Sequence, residues 1–385
     1  MSGYSALMAR YWRIIGVWTA ETSAFIDDID YYGPVKILHV ETGRHFLGGP
    51  QQVIYLINAL RERGHDSILV CPPDSGIDTV ARENGIRVQN LFCAGDLDLP
   101  FAYRLSQFLK EQQPDIVHCH SRRGADLLGG LAASVADVPA VVSRRVDNTE
   151  MRLVAAIRYR PFRKVIAISE AIADVLRDRG VEDERLEIIR SAVDVDAFPG
   201  SADCAAVRAG FGLKGEHLAI AAAGQLIPRK GHQFLLQAVA DLKDRYPQIR
   251  LVIFGEGYLN SQLRAQAASL GLGDVVAFAG FRDDLDELVS CFDLFAHPAL
   301  AEGLGVAALK AAAARVPVVG FAAGGMVEAV AHEKTGLLVA PEDSDALGNA
   351  IARLIDDLEL RSQFGEAGRE RMQNEFSIAT MADRH

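Results

Sequence analysis

No apolar run in this 385-residue chain approaches the roughly 18 residues that a membrane-crossing helix needs. Cysteine is scarce: Cys71, Cys93, Cys119, Cys204 and Cys291 are odd in number, scattered, and form no Cys-x-x-Cys pair. That excludes a disulfide scaffold and reads as reduced thiols in a cytosolic protein. Basic residues are not in excess, since 40 Lys and Arg face 51 Asp and Glu for a net charge of −11, which argues against bulk nucleic-acid binding. Low-complexity segments and short-period repeats are missing too. A full Gly-x-Gly-x-x-Gly is also missing: Gly255-Glu256-Gly257 follows a strand-like run, but Asn260 stands at the third glycine position. A nicotinamide- or flavin-binding reading is accordingly weak.

What is present is an ordinary globular composition, 49% hydrophobic and 24% charged, in a chain long enough for two or three domains. Residues 1–34 carry Trp12, Trp18, Tyr31 and Tyr32 without a clear period and read as an appendage. From Val35 a rhythm sets in, of a short apolar run, a loop, then an amphipathic stretch. Val35 to Val40 reads as a buried strand, and Val53, Ile54, Leu56, Ile57 and Leu60 recur at helical spacing. Further strands are expected at Ser67 to Val70, Asp115 to Cys119, Ala140 to Val142 and Lys164 to Ile168. The pattern breaks between Ser191 and Ala206 and restarts with His217 to Ala223, Arg250 to Phe254, Val275 to Phe278, Leu294 to His297 and Val316 to Gly320. Such alternation predicts α/β architecture with two doubly wound parallel sheets. The expected divisions are 35–200, 201–375, and a closing segment 376–385 that can return to the first domain.

Three loops carry chemistry. Gly48-Gly49 lies between the first strand and the first helix, where glycine lets the backbone approach a phosphate or sugar. Taken by itself, a tight turn is the better account of it, since glycine is the usual turn punctuation. Gly224-Gln225-Leu226-Ile227-Pro228-Arg229-Lys230-Gly231 puts two adjacent cations between a strand and a helix, suited to a diphosphate, or merely a solvated basic turn. Glu302-Gly303-Leu304-Gly305 follows the strand ending at His297, and its carboxylate has the plainer reading of a helix cap. Gly320 to Glu328 and Lys334 to Pro341 extend the series.

In order and spacing these pieces resemble the GT-B glycosyltransferases of family 4, over residues 35 to 385. The resemblance implies two Rossmann-like domains facing across a cleft, with an acceptor domain first and a nucleotide-sugar donor domain second. It implies a retaining transfer in which the leaving diphosphate takes the acceptor proton on one face, with no cofactor and no essential metal. Carried over by position, Lys230 and the backbone at Gly48 and Gly49 hold the donor diphosphate. Glu302 lies beside the donor sugar, Gly303, Leu304 and Gly305 present backbone donors, and His120 sits near the reacting sugar. Two departures from the family pattern stand out. Gln225 replaces an arginine, and Lys310 replaces the second glutamate that grips the ribose. Arg229 is expected to offset the lost charge. Lys310, eight residues after Glu302, is expected on the same helix face. His118 and His120 share a strand face, but without a third ligand at hand they do not make a metal site, and none is expected.

Between Arg144 and Lys164 seven cations face only Asp147 and Glu150. Arg144, Arg145, Arg152 and Arg158 are therefore expected to form an acceptor or membrane patch, alongside Leu153, Val154 and Ile157, with a solvated basic face as the plain alternative. The expected partners are a UDP-, GDP- or ADP-linked sugar, a glycan or glycolipid acceptor and the inner leaflet of the membrane, with no nucleic acid. The expected location is cytoplasmic, peripheral to the inner membrane, in lipopolysaccharide or related envelope-glycan synthesis. A nucleotide-sugar-binding subunit without turnover, and an epimerase or hydrolase on the same fold, are the alternatives.

Overall fold

The computed structural model describes residues 33–148, 150–198 and 203–385. The proposed extension over residues 1–34 lies outside them except for its last two residues. Residues 36–385 form one compact unit. Its first sheet holds seven strands: β1 Lys36–Val40, β2 Asp66–Cys71, β3 Arg87–Asn90, β4 Ile116–Cys119, β5 Ala140–Arg144, β6 Lys164–Ala167 and β7 Leu186–Ile188. The second holds six: β8 Leu218–Ala223, β9 Ile249–Phe254, β10 Val276–Gly280, β11 Leu294–His297, β12 Val318–Phe321 and β13 Gly336–Val339. Their spatial orders are β3-β2-β1-β4-β5-β6-β7 and β10-β9-β8-β11-β12-β13, parallel throughout. Strands buried on both faces read as unbroken apolar runs, and β8, Leu-Ala-Ile-Ala-Ala-Ala, is buried at every position. Sequence reading missed β3, β7 and β13. The first two are short and polar at alternate positions, and β13 opens on Gly336.

The strand order of each sheet reverses once, between β1 and β4 and between β8 and β11. At such a switch point the loops after the two strands diverge and leave a crevice. Gly48-Gly49 and His120 flank the first, and Arg229-Lys230 and Glu302 the second.

The closing stretch is three helices, Ser344–Asp356, Leu358–Glu375 and Ile378–Arg384. The last crosses back to the first sheet: it packs on helix Gly48–Glu62, Arg63 pairs with Asp383 at 2.5 Å, and Val193 N–H donates to the Phe376 carbonyl at 2.9 Å. The expectation of five reduced thiols is corrected by a disulfide between Cys204 and Cys291, 87 residues apart in sequence; Cys71, Cys93 and Cys119 are free and buried. Spacing gave no sign of that pair, because Cys204 opens a short helix beyond the inter-sheet connection and only packing carries it to the segment before β11. Among the described residues no helix is long and apolar enough to cross a membrane.

Candidate functional site

A cleft of about 540 Å³ runs between the carboxyl ends of the two sheets. From the first half it is lined by Leu47, Gly48, Gly49, Arg145 and Ser191, and from the second by Gln225, Arg229, Lys230, Glu302 to Gly305 and Lys310. The structure therefore brings together every donor-side position read from the sequence.

Helix Gly48–Glu62 begins at Gly48 without an acidic residue in its first turn, so its free N–H groups meet the cleft with no competing carboxylate. Nothing lies within 4 Å of where a Gly48 Cβ would stand, so that residue needs no glycine for space. Gly303 is different. A Cβ there would come within 2.7 Å of the Arg145 carbonyl across the cleft, so a larger residue would push the halves apart. Ser169 fastens the same point, since its hydroxyl donates to the Gly303 carbonyl at 2.6 Å while capping its own helix through Ile172 N–H. Glu328 adds a second clasp, accepting from Glu170 N–H at 2.7 Å and pairing with Arg190 at 2.9 Å.

Glu302 was expected in the first turn of a helix shared with Lys310. That is corrected: the helix is Val306–Ala313 and Glu302 stands in the loop before it. Gly305, at φ +84°, makes the turn from loop to helix. Glu302 Oε2 accepts from Lys230 Nζ and lies 3.1 Å from His297 Nε2. Burial alone would raise its carboxyl, but the His297 hydrogen bond and the Lys230 charge hold it well below the usual carboxylate range. His297 ends β11, five residues before the glutamate. A histidine closing a buried strand just ahead of the loop was the signal available for it.

Lys310 reaches the cleft wall but is already paired, with Asp286 at 2.8 Å. Arg229 pairs with Asp147 of the first half at 2.9 Å. Neither cation stands free for a ligand as it is, and neither partner had been singled out for it.

The basic patch does not form as expected. Of its four arginines only Arg152 is exposed to solvent. Arg158 is buried and bonds Asp126 at 2.6 Å and Glu150 at 3.0 Å. Arg144 is buried, and its guanidinium donates to the Asn148 carbonyl. Arg145 turns into the cleft, donating to Ser191 Oγ at 3.4 Å, and burial lowers it to about 10, against the pull of Glu41. The physical reason is that the face of the short helix Arg152–Tyr159 carrying Arg158 is buried, where Asp126 of helix Ala125–Ala136 and Glu150 of the preceding loop pair with it. Its other face leaves Met151, Leu153 and Ile157 exposed at 73%, 74% and 59% beside Arg152 and Arg160.

His120 is not among the residues lining the cleft. It is buried, with its Nε2 2.9 Å from His39 Nδ1. His118 is buried beside it, its Nε2 2.8 Å from Ser143 Oγ. Desolvation holds all three imidazoles well below the ordinary histidine range, His39 at about 3.

Comparison with known proteins places this geometry. Residues 48–197 match the family described as Glycosyltransferase Family 4, and residues 205–371 match Glycosyl transferases group 1. A GDP-mannose-dependent alpha-(1-6)-phosphatidylinositol monomannoside mannosyltransferase of Mycobacterium tuberculosis is 35% identical over 207 residues, 51% of this chain and 54% of that one. Against that enzyme and its counterparts the chain spans about half the length of the curated relatives it matches. The lipopolysaccharide core biosynthesis glycosyltransferase LpsE of Rhizobium meliloti is 26% identical over 91% of this chain and 97% of its own. Among solved structures, Anabaena HepE in complex with UDP superposes with a TM-score of 0.80 at 23% identity, over 91% of this chain and 98% of that one.

Proposed function

Because the chain belongs to the GT-B glycosyltransferases of family 4, we propose that it transfers a sugar, with retention of configuration, from a nucleotide-sugar donor to an envelope glycan or glycolipid. The observation that carries this reading is the convergence of Lys230, Glu302 and the Gly303–Gly305 backbone on one wall of the cleft, opposite the N-terminus of helix Gly48–Glu62. In this reading the donor diphosphate lies between Lys230 and that helix end, where cation and amide dipoles stabilise the charge that develops as the sugar leaves. Lys230 then gives up Glu302 in favour of phosphate oxygens. The carboxylate, held ionised by His297, is left beside the sugar and accepts from its hydroxyls. The acceptor hydroxyl attacks from the leaving-group face and passes its proton to the departing phosphate oxygen. No metal or cofactor enters these steps.

Relatives that use GDP-mannose and a structural neighbour that holds UDP support a nucleotide-sugar donor without choosing the base. The solvent-exposed Met151, Leu153 and Ile157, flanked by Arg152 and Arg160, support contact with an anionic bilayer on the acceptor side.

Incubation with UDP-, GDP- and ADP-sugars and an envelope-lipid extract tests the reading. Sugar transfer to lipid supports it. Binding without turnover would favour a non-catalytic subunit, and acceptor-free turnover a hydrolase or epimerase. Sedimentation with phosphatidylglycerol vesicles tests the membrane part, which is wrong if Leu153→Glu with Ile157→Glu leaves the bound fraction unchanged.

A further inference from the structure

Five cationic side chains line the cleft: Arg145, Arg229, Lys230, Arg282 and Lys310. Four of them are already paired with carboxylates, Arg229 with Asp147, Lys230 with Glu302, Arg282 with Asp284 and Lys310 with Asp286. Arg145 makes no ion pair among the described residues. Glu41 acts on it only at a distance, because that carboxylate is turned to Gly43 N–H, which donates to it at 2.7 Å. Within the guanidinium, Nε is buried without a hydrogen-bond partner, and Nη1 has only the long 3.4 Å contact with Ser191 Oγ. A guanidinium carries five N–H donors, so most of this one's capacity is unspent.

Its placement follows from the loop after β5, which meets the second half at two points. The Arg145 carbonyl packs on Gly303, where a Cβ would meet it at 2.7 Å, and two residues further on Asp147 takes Arg229. The side chain lies along the glycine turn that opens helix Gly48–Glu62, its Cδ 3.8 Å from where a Gly49 Cβ would stand. Arg145 therefore reaches from the Gly303 wall to the helix end, the two features between which the diphosphate is placed above.

We propose that Arg145 is a donor-binding residue of the transfer reaction, the cation that the first half supplies to the donor diphosphate. This rests on the reading that the cleft takes a nucleotide sugar. A multiply charged diphosphate gives up water as it enters, and a cation already neutralised by a carboxylate must part with that partner before it can compensate. Arg145 has no such partner to lose, so it is the cation available at the outset. Gln225 is neutral where the family pattern has an arginine, and the charge missing from the second half's wall is met from across the cleft. The planar fork also suits two phosphate oxygens at once, which an ammonium cannot match. Because the arginine belongs to one half and the nucleotide to the other, the bound diphosphate ties the halves together.

Calorimetric titration of the purified chain with UDP, GDP and ADP, and with the matching monophosphates, tests this. The wild type is expected to bind one diphosphate more tightly than its monophosphate. Arg145→Gln is expected to weaken that diphosphate by about tenfold or more while changing the monophosphate little, and Arg145→Lys to recover only part of the loss. A residue that merely braces the cleft would move both ligands together. An unchanged ratio of the two affinities in a folded Arg145→Gln variant therefore overturns the proposal. A wild type that binds none of the three diphosphates overturns the donor reading as well, which tells that failure from a failure at Arg145 alone. Should Arg145→Gln not fold, a crystal of the wild type with the preferred diphosphate decides. A guanidinium nitrogen within hydrogen-bond distance of a phosphate oxygen supports the assignment, and an Arg145 that touches no phosphate oxygen refutes it.

Discussion

The Arg229 guanidinium, in the loop after β8, meets the Asp147 carboxylate, in the loop after β5, at 2.9 Å across the cleft. The pair links the two halves at the place where a donor diphosphate would need Arg229 for itself. With side chains 37% and 24% exposed the bridge adds little stability, about 1 kcal/mol or less. Its consequence is competition. Asp147→Asn is expected to leave the melting temperature nearly unchanged and to lower the donor KM, by freeing the guanidinium. Arg229→Ala is expected to raise that KM by about tenfold or more, as for a lost hydrogen bond to a charged group. Equal KM values in all three proteins would mean that Arg229 never meets the donor.

Glu302 is held ionised by Lys230 and His297, so its charge persists through the pH range in which an ordinary glutamate titrates. Glu302→Gln keeps the shape and removes the charge. The variant is expected to fold and to lose about 10²-fold or more in turnover. Steady-state transfer assays on the purified variant check this, and near-normal kcat rules out the assigned role.

Lys310 and Asp286 form a largely buried pair, their side chains 17% and 22% exposed. Lys310→Glu restores the residue the family pattern has at that position but sets two carboxylates against each other. It is expected to lower stability by about 1–3 kcal/mol and to weaken donor binding. Adding Asp286→Lys to that variant should recover most of the loss. Chemical denaturation of the single and double variants measures both, and a stable Lys310→Glu single variant contradicts the pairing argument.

Reduction of the Cys204–Cys291 bond, which spans 87 residues, is expected to cost about 2–4 kcal/mol, because it restores chain freedom to the unfolded state. Urea unfolding with and without reductant should differ by that amount. In a Cys204→Ser, Cys291→Ser double variant the difference should vanish.

His232 opens the helix His232–Leu242 and is buried; desolvation, with the neighbouring His297 and Lys230, lowers it to about 4. A depressed histidine is protonated in the unfolded chain first. Its contribution is therefore neutral above about pH 6.5 and destabilising as pH falls towards 4, by about 1.4 kcal/mol per unit. Unfolding free energies at pH 7.5, 6 and 5 should show His232→Asn losing less with acid than the wild type. Parallel losses would exclude His232 as a source of acid sensitivity.

Much of the architecture was legible because it rests on local periodicity. Apolar runs four to six residues long, each followed by a helix-spaced face, admit little besides parallel strands with covering helices. The glycine- and cation-bearing turns sit after β1, β8 and β11 because those turns are where the chain leaves a strand. Gly48, Lys230 and Glu302 could be read on those grounds. The short strands β3, β7 and β13 could not, since three or four residues with polar or glycine positions carry too little pattern.

The amino-acid sequence by itself determined the two doubly wound sheets, their order and the glycine- and cation-bearing loops after their strands, for periodicity and turn chemistry act over a few neighbouring residues; that those loops face one another across a cleft came from the family resemblance. Tertiary structure alone decided which side chains meet. Parallel register carried His39 to His118. Closure of the cleft set Arg229 against Asp147, a short helix beyond β10 brought Asp286 to Lys310, and a buried helix face turned Arg158 inward to Asp126 and Glu150. Such contacts join residues up to about eighty positions apart. Their partners are chosen by the packing of whole elements, which no spacing along the chain records.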